Sequence, residues 1–294
     1  MAAFKKIGII GRVKTPGVKE TVLALVNYLQ GLKQSLMIER ETAELLPSPS
    51  LPIITREELG KNCDLVIVVG GDGSLINAAH AVVDYETPVL GINRGSLGFL
   101  TDILPKHLEK IKDILEGKYT IEKRFLLTSR IELHDKKIGE DDALNEVAMI
   151  PDAVPHMVEF EIYIDDKFVC SQDSDGLIVA TPTGSTAYAL SGGGPILHPQ
   201  LDAIVLVPMF PHSLNNRPIV IEGDREIRII ISPHNQTSPR LSSDGRDYIT
   251  TPPGSHIIIR KKAKKLHLIH PLDYNYYEAL RSKLHWGKKL NYTE

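Results

Sequence analysis

The chain has 294 residues, 42% of them hydrophobic and 24% charged, which is an ordinary globular composition with room for two domains. The formal net charge of −3 gives no electrostatic case for nucleic acid as a partner. No stretch approaches the roughly 18 apolar residues of a membrane span, and the first apolar run is too short for a signal peptide. Cys63 and Cys170 have no metal-type spacing. We therefore expect a cytoplasmic protein with no membrane partner and no metal site of its own.

The first 117 residues alternate between strand and helix patterns. Strands are predicted at Phe4–Ile10, Leu36–Glu39, Leu65–Val69 and Val89–Ile92. Helices are predicted where Val18, Val22, Leu25, Leu29 and Leu32 recur at helical spacing, and at Ser74–Val83 and Lys106–Leu115. Continuous apolar strands between helices predict a Rossmann-like α/β domain over residues 1–117, with a parallel sheet covered on both faces.

Beyond Gly117 the pattern is mostly that of strands. These are predicted at Ile121–Leu133, Val147–Ile150, Met157–Ile164, Lys167–Cys170, Leu177–Thr181, Ala203–Pro208, Pro218–Ile221, Glu226–Ile231 and His256–Arg260. One short helix is predicted at Ser185–Leu190, and the charged run Arg260–Lys265 is predicted to be a solvated hairpin end. Residues 118–270 thus predict a mostly antiparallel, sandwich-like β domain. Residues 271–294 contain a helical pattern at Leu272–Leu284 and are predicted to return to the first domain.

The most informative motif is Gly70-Gly71-Asp72-Gly73-Ser74, at the end of an apolar strand. Glycines let backbone amides converge on an anion, and the following helix adds the positive end of its dipole, so Gly70, Gly71 and Gly73 predict a phosphate-binding turn. The Asp72 carboxylate would repel a phosphate, so it must bind a metal, accept a proton or hold a hydroxyl. This combination indicates phosphoryl transfer to an alcohol; the simpler alternative is that Asp72 only caps the helix.

Other nucleotide-binding signatures are missing from the sequence. It contains no Walker A motif, no protein-kinase motif set, and no Gly-x-Gly-x-x-Gly after the first strand. Any nucleotide must therefore be held by other means.

Two further segments are candidates for that task. A strand leads into the hydroxyl-rich segment Thr181–Ser191, which suits phosphate or ribose oxygens. Within it, Tyr188 can stack on a base or pack in the core. Asn145 and Glu146 together can grip a cis-diol, one donating and the other accepting, although a polar strand end facing water is the alternative.

These segments, with Gly91–Leu100 and Asp175–Pro195, resemble the motif series of NAD kinases, in the same order and over almost the whole chain. The segment Thr181–Tyr188 is highly specific, whereas the Gly-Gly-Asp-Gly turn is shared with phosphofructokinases and lipid kinases. Leu206–His212 and Leu266–Pro271 most resemble the form found in Gram-negative bacteria.

The resemblance implies transfer of the ATP γ-phosphoryl group to the 2′-hydroxyl of the adenosine ribose of NAD, giving NADP. It implies Mg²⁺ or another divalent cation with ATP, a cleft between two domains, and a homotetramer or homodimer. Asp72 matches the catalytic base. The matching NAD contacts are Asp72, Gly73, Phe99, Asn145, Glu146, His156, Asp175, Thr186, Ala187, Tyr188, Ala189, Leu190 and Ser191. Arg246, where relatives often have Gln or His, departs from the pattern and is also predicted to contact NAD. The chain departs from its relatives at Asp173, where they often carry Arg or Lys.

Two other functions fit part of the sequence. A lipid or sugar kinase would share only the Gly-Gly-Asp-Gly turn and would leave Thr181–Ser191 unexplained. A non-catalytic nucleotide sensor would bind NAD without needing Asp72.

Overall fold

The computed structural model describes residues 4–47, 50–94, 98–152 and 157–285. The chain packs into two compact units, a first unit of Met1–Lys123 with Leu266–Glu294 and a second unit of Arg124–Lys265. The divisions fall inside two long strands, Tyr119–Leu133 and His256–Pro271. Among the described residues, no helix combines the length and apolar character needed to cross a membrane.

The elements of the first unit follow the predicted alternation. They are β1 (Lys6–Gly11), α1 (Val18–Gly31), β2 (Ser35–Glu39), α2 (Arg40–Ala43), β3 (Ile53–Ile54), α3 (Arg56–Asn62), β4 (Leu65–Gly70), α4 (Asp72–Val82), β5 (Val89–Asn93) and α5 (Lys110–Leu115), with the start of β6 (Tyr119–Leu133). The strands form a parallel sheet in the order β5-β4-β1-β2-β3. Every residue of β4 is buried, as its continuous apolar sequence predicts.

The second unit is built from antiparallel strands. It contains β7 (Lys136–Ala143), β8 (Glu146–Ile150), β9 (Val158–Ile164), β10 (Lys167–Ser174), β11 (Gly176–Ala180), α6 (Tyr188–Ser191), β12 (Ala203–Met209), β13 (Ile219–Glu222), β14 (Ile227–Ile231), β15 (Arg240–Ser243), β16 (Tyr248–Thr250) and most of β17 (His256–Pro271). One sheet has the order β13-β12-β11-β8-β15-β16, and β10-β9-β14-β17 are neighbours in another. Side chains of both sheets share one apolar core, as in a β-sandwich.

The end of β17 brings the chain back to the first unit. Leu268 of β17 pairs in parallel with Val89 of β5, beside the first unit's sheet. The chain then forms α7 (Tyr276–Leu284), where Asn275 caps the helix and accepts hydrogen bonds from the amides of Tyr277 and Glu278.

Several element predictions are wrong in detail. The run Arg260–Lys265 is not a hairpin end but lies inside β17, where extended backbone lets its cations pair with carboxylates on other strands and loops. Lys261 pairs with Asp202 at 2.5 Å and Lys262 with Asp142 at 2.6 Å. Helix α4 begins at Asp72 rather than Ser74. Strand β7 was not predicted, because its polar residues match its mostly exposed or half-buried position rather than an apolar strand pattern.

Candidate active site

The Asp72 carboxylate lies where the buried strand β4 meets α4. Gly71 is the helix N-cap, and among the described residues no side chain caps this helix, so Asp72 does not play the capping role that was the simpler alternative. Instead its carboxylate accepts hydrogen bonds from the backbone amides of Phe99 at 2.9 Å and Leu100 at 3.1 Å. The Thr101 hydroxyl and the Lys283 ammonium group donate to it at 3.3 Å and 2.8 Å. The segment after β5 and the C-terminal helix therefore fix the carboxylate together.

Glycine occurs at position 70 of the turn for a different structural reason than at positions 71 and 73. A Cβ on Gly70 would lie 2.3 Å from the hydroxyl oxygen of Ser74, so that position has no room for a side chain. Added Cβ atoms at Gly71 and Gly73 would meet no described residue within 4 Å, and neither glycine has a left-handed φ. Contacts within the described part of the chain and backbone geometry therefore do not require glycine at these two positions. Space left for an approaching group is the remaining physical reason.

Two further features mark the start of α4 as a place for an anion. The Ser74 side chain is buried, and its oxygen has no hydrogen-bond partner among the described residues. The helix has 11 residues, so its first-turn amides carry the positive end of a full macrodipole. Open glycines, these amides and a free buried hydroxyl together suit phosphate oxygens.

Phe99 lies beside the Asp72 carboxylate together with two residues that the sequence analysis did not single out. The ammonium nitrogen of Lys283 is 5.3 Å from the Phe99 ring centroid, and the Tyr276 ring is 6.2 Å from it. Both partners belong to α7, which lies more than 170 residues further along the chain. No local sequence signal points to Lys283, because nothing near it in the chain resembles a motif.

A buried histidine supports the same segment. His270 is fully buried, and its ring bonds the Asp102 carboxylate, lies 3.5 Å from Glu122 and stacks on Tyr274 at 3.8 Å. Burial lowers the pKa of His270, but the hydrogen bonds and charges of Asp102 and Glu122 outweigh burial and raise it. This cluster ties the residue after Thr101 to the end of β17.

In the second unit, Asp244 holds the Asn145-Glu146 pair in place. Its carboxylate accepts hydrogen bonds from the amides of Leu144 and Asn145, both at 2.7 Å, and of Glu146 at 3.1 Å. Asp244 sits in the turn between β15 and β16 with φ +55°, a conformation that aspartate tolerates better than most residues. The late Asp244-Gly245 motif is therefore the support of the Asn-Glu pair.

The environment of the Glu146 carboxyl group disfavours its ionised form. It is buried at the start of β8, and one of its oxygens has no hydrogen-bond partner among the described residues. Burial, followed by the negative charge of Asp244, raises the pKa of Glu146 to about 8, although the backbone amide of Tyr188 lowers it. Strongly shifted carboxyl groups of this kind cluster at functional sites.

Several hydroxyls of the segment after β11 donate hydrogen bonds to nearby backbone carbonyls. Thr181 donates to the carbonyl of Leu144 at 2.6 Å, and Ser185 donates to the carbonyl of Pro182 at 2.6 Å. The Thr186 hydroxyl donates to its own turn at 3.2 Å. These hydroxyls donate to backbone carbonyls of the loop and of Leu144, and their predicted contact with phosphate or ribose oxygens stays a prediction. A Cβ on Gly184 would lie 2.1 Å from the carbonyl oxygen of Asn145, so the loop packs closely against the Asn-Glu pair.

The remaining predicted residues of this segment are placed as follows. Tyr188 is 40% exposed, so its ring does not pack in the core. Ala189 is buried against β11 and β12, Ser191 is exposed, and Ala187 and Leu190 are half-buried.

Three predicted NAD contacts lie elsewhere in the chain. Asp175 is half-buried between β10 and β11. The Arg246 guanidinium bonds the Asp141 carboxylate at 2.7 Å and the carbonyl of Asp142 at 2.8 Å. His156 lies outside the described residues. In the ranges that the structure covers, no group of three or more His, Cys, Asp or Glu side chains is arranged to hold a metal ion.

A parallel α/β sheet with an anchored carboxylate in a glycine turn, followed by an antiparallel β unit, fits the class of nucleotide-binding phosphotransferases. Residues 7–119 match the model of the ATP-NAD kinase N-terminal domain, and residues 144–271 match that of the ATP-NAD kinase C-terminal domain. The chain is 55% identical to the NAD kinase of Pseudomonas fluorescens strain Pf0-1 over 291 residues, which covers 99% of this chain and 98% of that protein. It is 54% identical to the NAD kinase of Pseudomonas putida strain F1 over 295 residues, covering all of both.

Solved structures show the same fold. The yeast NADH kinase complexed with NADH superposes with a TM-score of 0.90 at 24% identity, covering 99% of this chain and 91% of that one. An NAD kinase from Archaeoglobus fulgidus in complex with ATP superposes with a TM-score of 0.72 at 26% identity, covering 95% and 98%. The chain belongs to the NAD kinase family, and the predicted family and fold class are confirmed.

Proposed function

We propose that the protein transfers the γ-phosphoryl group of ATP to the 2′-hydroxyl of the adenosine ribose of NAD, forming NADP. The hydroxyl oxygen bonds the γ-phosphorus, and the bond from that phosphorus to the bridging oxygen of ADP breaks. The hydroxyl proton passes to the Asp72 carboxylate. The observation that carries this proposal is that Asp72 is anchored by its surroundings, while added Cβ atoms at Gly71 and Gly73 beside it would meet none of the described residues within 4 Å.

Positioning and charge neutralisation account for most of the rate in phosphoryl transfer. The first-turn amides of α4 and the Ser74 hydroxyl supply donors for phosphate oxygens. We propose that Mg²⁺ accompanies ATP and neutralises part of its charge, as in other kinases. A positioned carboxylate base contributes roughly 10²–10⁴-fold to such a reaction.

We propose that Asn145 and Glu146 bind a ribose diol of NAD and that Tyr188 lies against the nucleotide. The exposed ring of Tyr188 and the support of Asn145 by Asp244 favour these roles. The other proposed NAD contacts are Gly73, Phe99, His156, Asp175, Thr186, Ala187, Ala189, Leu190, Ser191 and Arg246. Because the side chain of Ala189 is buried, its contact would be through the backbone.

We also propose a homodimer or homotetramer in the cytoplasm. Large apolar side chains exposed on the second unit, such as Phe168 at 58% and Phe210 at 79%, favour association. The free thiols of Cys63 and Cys170 suit a reducing compartment. Sedimentation equilibrium tests the assembly, and a purely monomeric protein at micromolar concentration would contradict it.

The activity is tested with purified protein, Mg-ATP and NAD, followed by an NADP-specific dehydrogenase that reports NADP. We expect signal only when NAD and ATP are both present. NADP should not be phosphorylated, because its 2′-hydroxyl is already occupied. ATP consumption without NADP formation would contradict the proposal and would point to another acceptor.

A further inference from the structure

Within the described chain, Lys283 is the one hydrogen-bond donor to Asp72 that comes from the C-terminal helix α7. Its ammonium group lies 2.8 Å from the Oδ2 atom of Asp72 and over the Phe99 ring at 5.3 Å. The side chains of Lys283 and Asp72 are 27% and 20% exposed, so the pair is partly shielded and still accessible from solvent.

The hydrogen bonds of Asp72 leave no room for a substrate hydroxyl. A carboxylate has about four lone-pair positions. At Oδ1 they are used by the Leu100 amide and the Thr101 hydroxyl, and at Oδ2 by the Phe99 amide and Lys283. An alcohol that gives its proton to Asp72 must therefore replace one of these four donors.

Lys283 is the donor that can leave most easily. Two of the others are backbone amides, and the third is the short side chain of Thr101, whose residue is fully buried. Lysine has a flexible four-carbon stem, and its ammonium group is strongly hydrated, so it can move by several ångströms without disturbing the backbone.

We propose that Lys283 is a positioning residue for phosphoryl transfer, which holds Asp72 Oδ2 in the free protein and yields that oxygen to the acceptor hydroxyl. The inference rests on the proposed function. The hydroxyl proton goes to Asp72, and Lys283 takes no part in that proton transfer. Once displaced, its positive charge remains beside the reacting groups, where it offsets the negative charge of the transferred phosphoryl group.

Helix α7 has anchors other than Lys283. It is capped by Asn275 and buries Ala279 and Leu280. Arg281 lies on the same helix and is exposed, so it offers a matched control for the loss of one positive charge.

The test compares Lys283→Met with Arg281→Met in steady-state NAD phosphorylation. We expect Lys283→Met to lower kcat roughly 10-fold or more, with KM for NAD and ATP changed less than about threefold. Arg281→Met should keep both constants. Equal kcat values for the two variants would overturn the proposal.

A double-mutant cycle separates action through Asp72 from a general structural effect. Lys283→Met should lower the single-turnover rate by a smaller factor in the Asp72→Asn background than in wild type, because the part of its effect that acts through the Asp72 carboxylate is already lost. If Lys283→Met lowered the single-turnover rate by the same factor in wild type and in Asp72→Asn, the inference would be overturned.

Urea unfolding of the same four proteins supplies a readout that needs no activity. The Lys283→Met change should shift the unfolding midpoint in the wild-type background and not in Asp72→Asn, and identical shifts would again overturn the inference. Failure of the proposed function would appear separately, as wild-type protein that makes no NADP.

Discussion

The Asp244 carboxylate accepts a hydrogen bond from the Glu146 amide at 3.1 Å, and the same carboxylate acts on the Glu146 side chain. Burial, followed by the negative charge of Asp244, raises the pKa of Glu146 from its usual 4.5 to about 8. Below about pH 8 the Glu146 carboxyl group is therefore mostly neutral in the ligand-free protein.

Stability should depend on pH through Glu146. Between pH 4.5 and about 8 the folded protein binds more protons at Glu146 than the unfolded chain does, so the free energy of unfolding falls as pH rises. The part of the free energy of unfolding that depends on neutral Glu146 is fully present below pH 4.5 and is lost as pH rises through about 8. Its size is on the order of a few kcal/mol. Urea unfolding across this range should show a flatter profile for Glu146→Gln than for wild type. The exposed control Glu159→Gln should keep the wild-type slope, and three identical slopes would contradict the assignment.

NAD binding should release a proton from Glu146. Ribose hydroxyls donate to a carboxylate, so binding favours the ionised form, and the Kd for NAD should fall up to about tenfold per pH unit as pH rises toward 8. Isothermal titration calorimetry in buffers of different ionisation enthalpy measures the released proton directly. Glu146→Gln should bind NAD with little pH dependence. A wild-type Kd that stays constant over this range would exclude the diol role for Glu146.

Replacing Gly73 by alanine should stabilise the fold but weaken ATP binding. Gly73 lies inside α4 without a left-handed φ, and an added Cβ would meet no described residue within 4 Å, so Gly73→Ala should stabilise the fold by about 0.5–1 kcal/mol. The added methyl group should nevertheless raise KM for ATP, because it occupies the space proposed for phosphate. Gly31→Ala, at the open end of α1, is the matched control and should leave KM unchanged. An unchanged KM in Gly73→Ala would remove the turn from ATP binding.

Gly98 should be essential for the position of Asp72. A Cβ there would lie 2.1 Å from Asp72 Oδ1 and 2.3 Å from the Thr101 hydroxyl oxygen, so Gly98→Ala must displace the carboxylate. We expect kcat to fall about 10²-fold, since misplacement of about 1 Å has that effect on catalytic groups. Gly31→Ala serves again as the control. Normal turnover of Gly98→Ala would mean that the observed position of Asp72 is not needed for catalysis.

The sequence predicted the parts of the site that are local in the chain. An apolar strand, a glycine turn and a helix lie within twenty residues of each other, so periodicity and turn chemistry locate β4, Asp72 and α4 closely. The partners of these residues could not be predicted in this way. Lys283 is 211 residues from Asp72, and Asp244 is 98 to 100 residues from the amides that it holds. Such contacts depend on how the strands are ordered in the sheets, which composition and spacing do not encode.

The hydroxyl-rich segment shows another limit of sequence reasoning. Thr181 and Ser185 are the residue types that bind phosphate oxygens, but the same hydroxyls also satisfy backbone groups in tight turns. Here they bond the carbonyls of Leu144 and Pro182. Sequence alone does not distinguish the two uses.

The turnover of Asp72→Asn at saturating NAD and Mg-ATP shows most directly whether Asp72 takes the proton of the acceptor hydroxyl. We expect kcat to fall by about 10²–10⁴-fold, while KM for NAD changes only a few-fold. Near-normal turnover in Asp72→Asn would contradict the base role, even if the wild-type protein forms NADP.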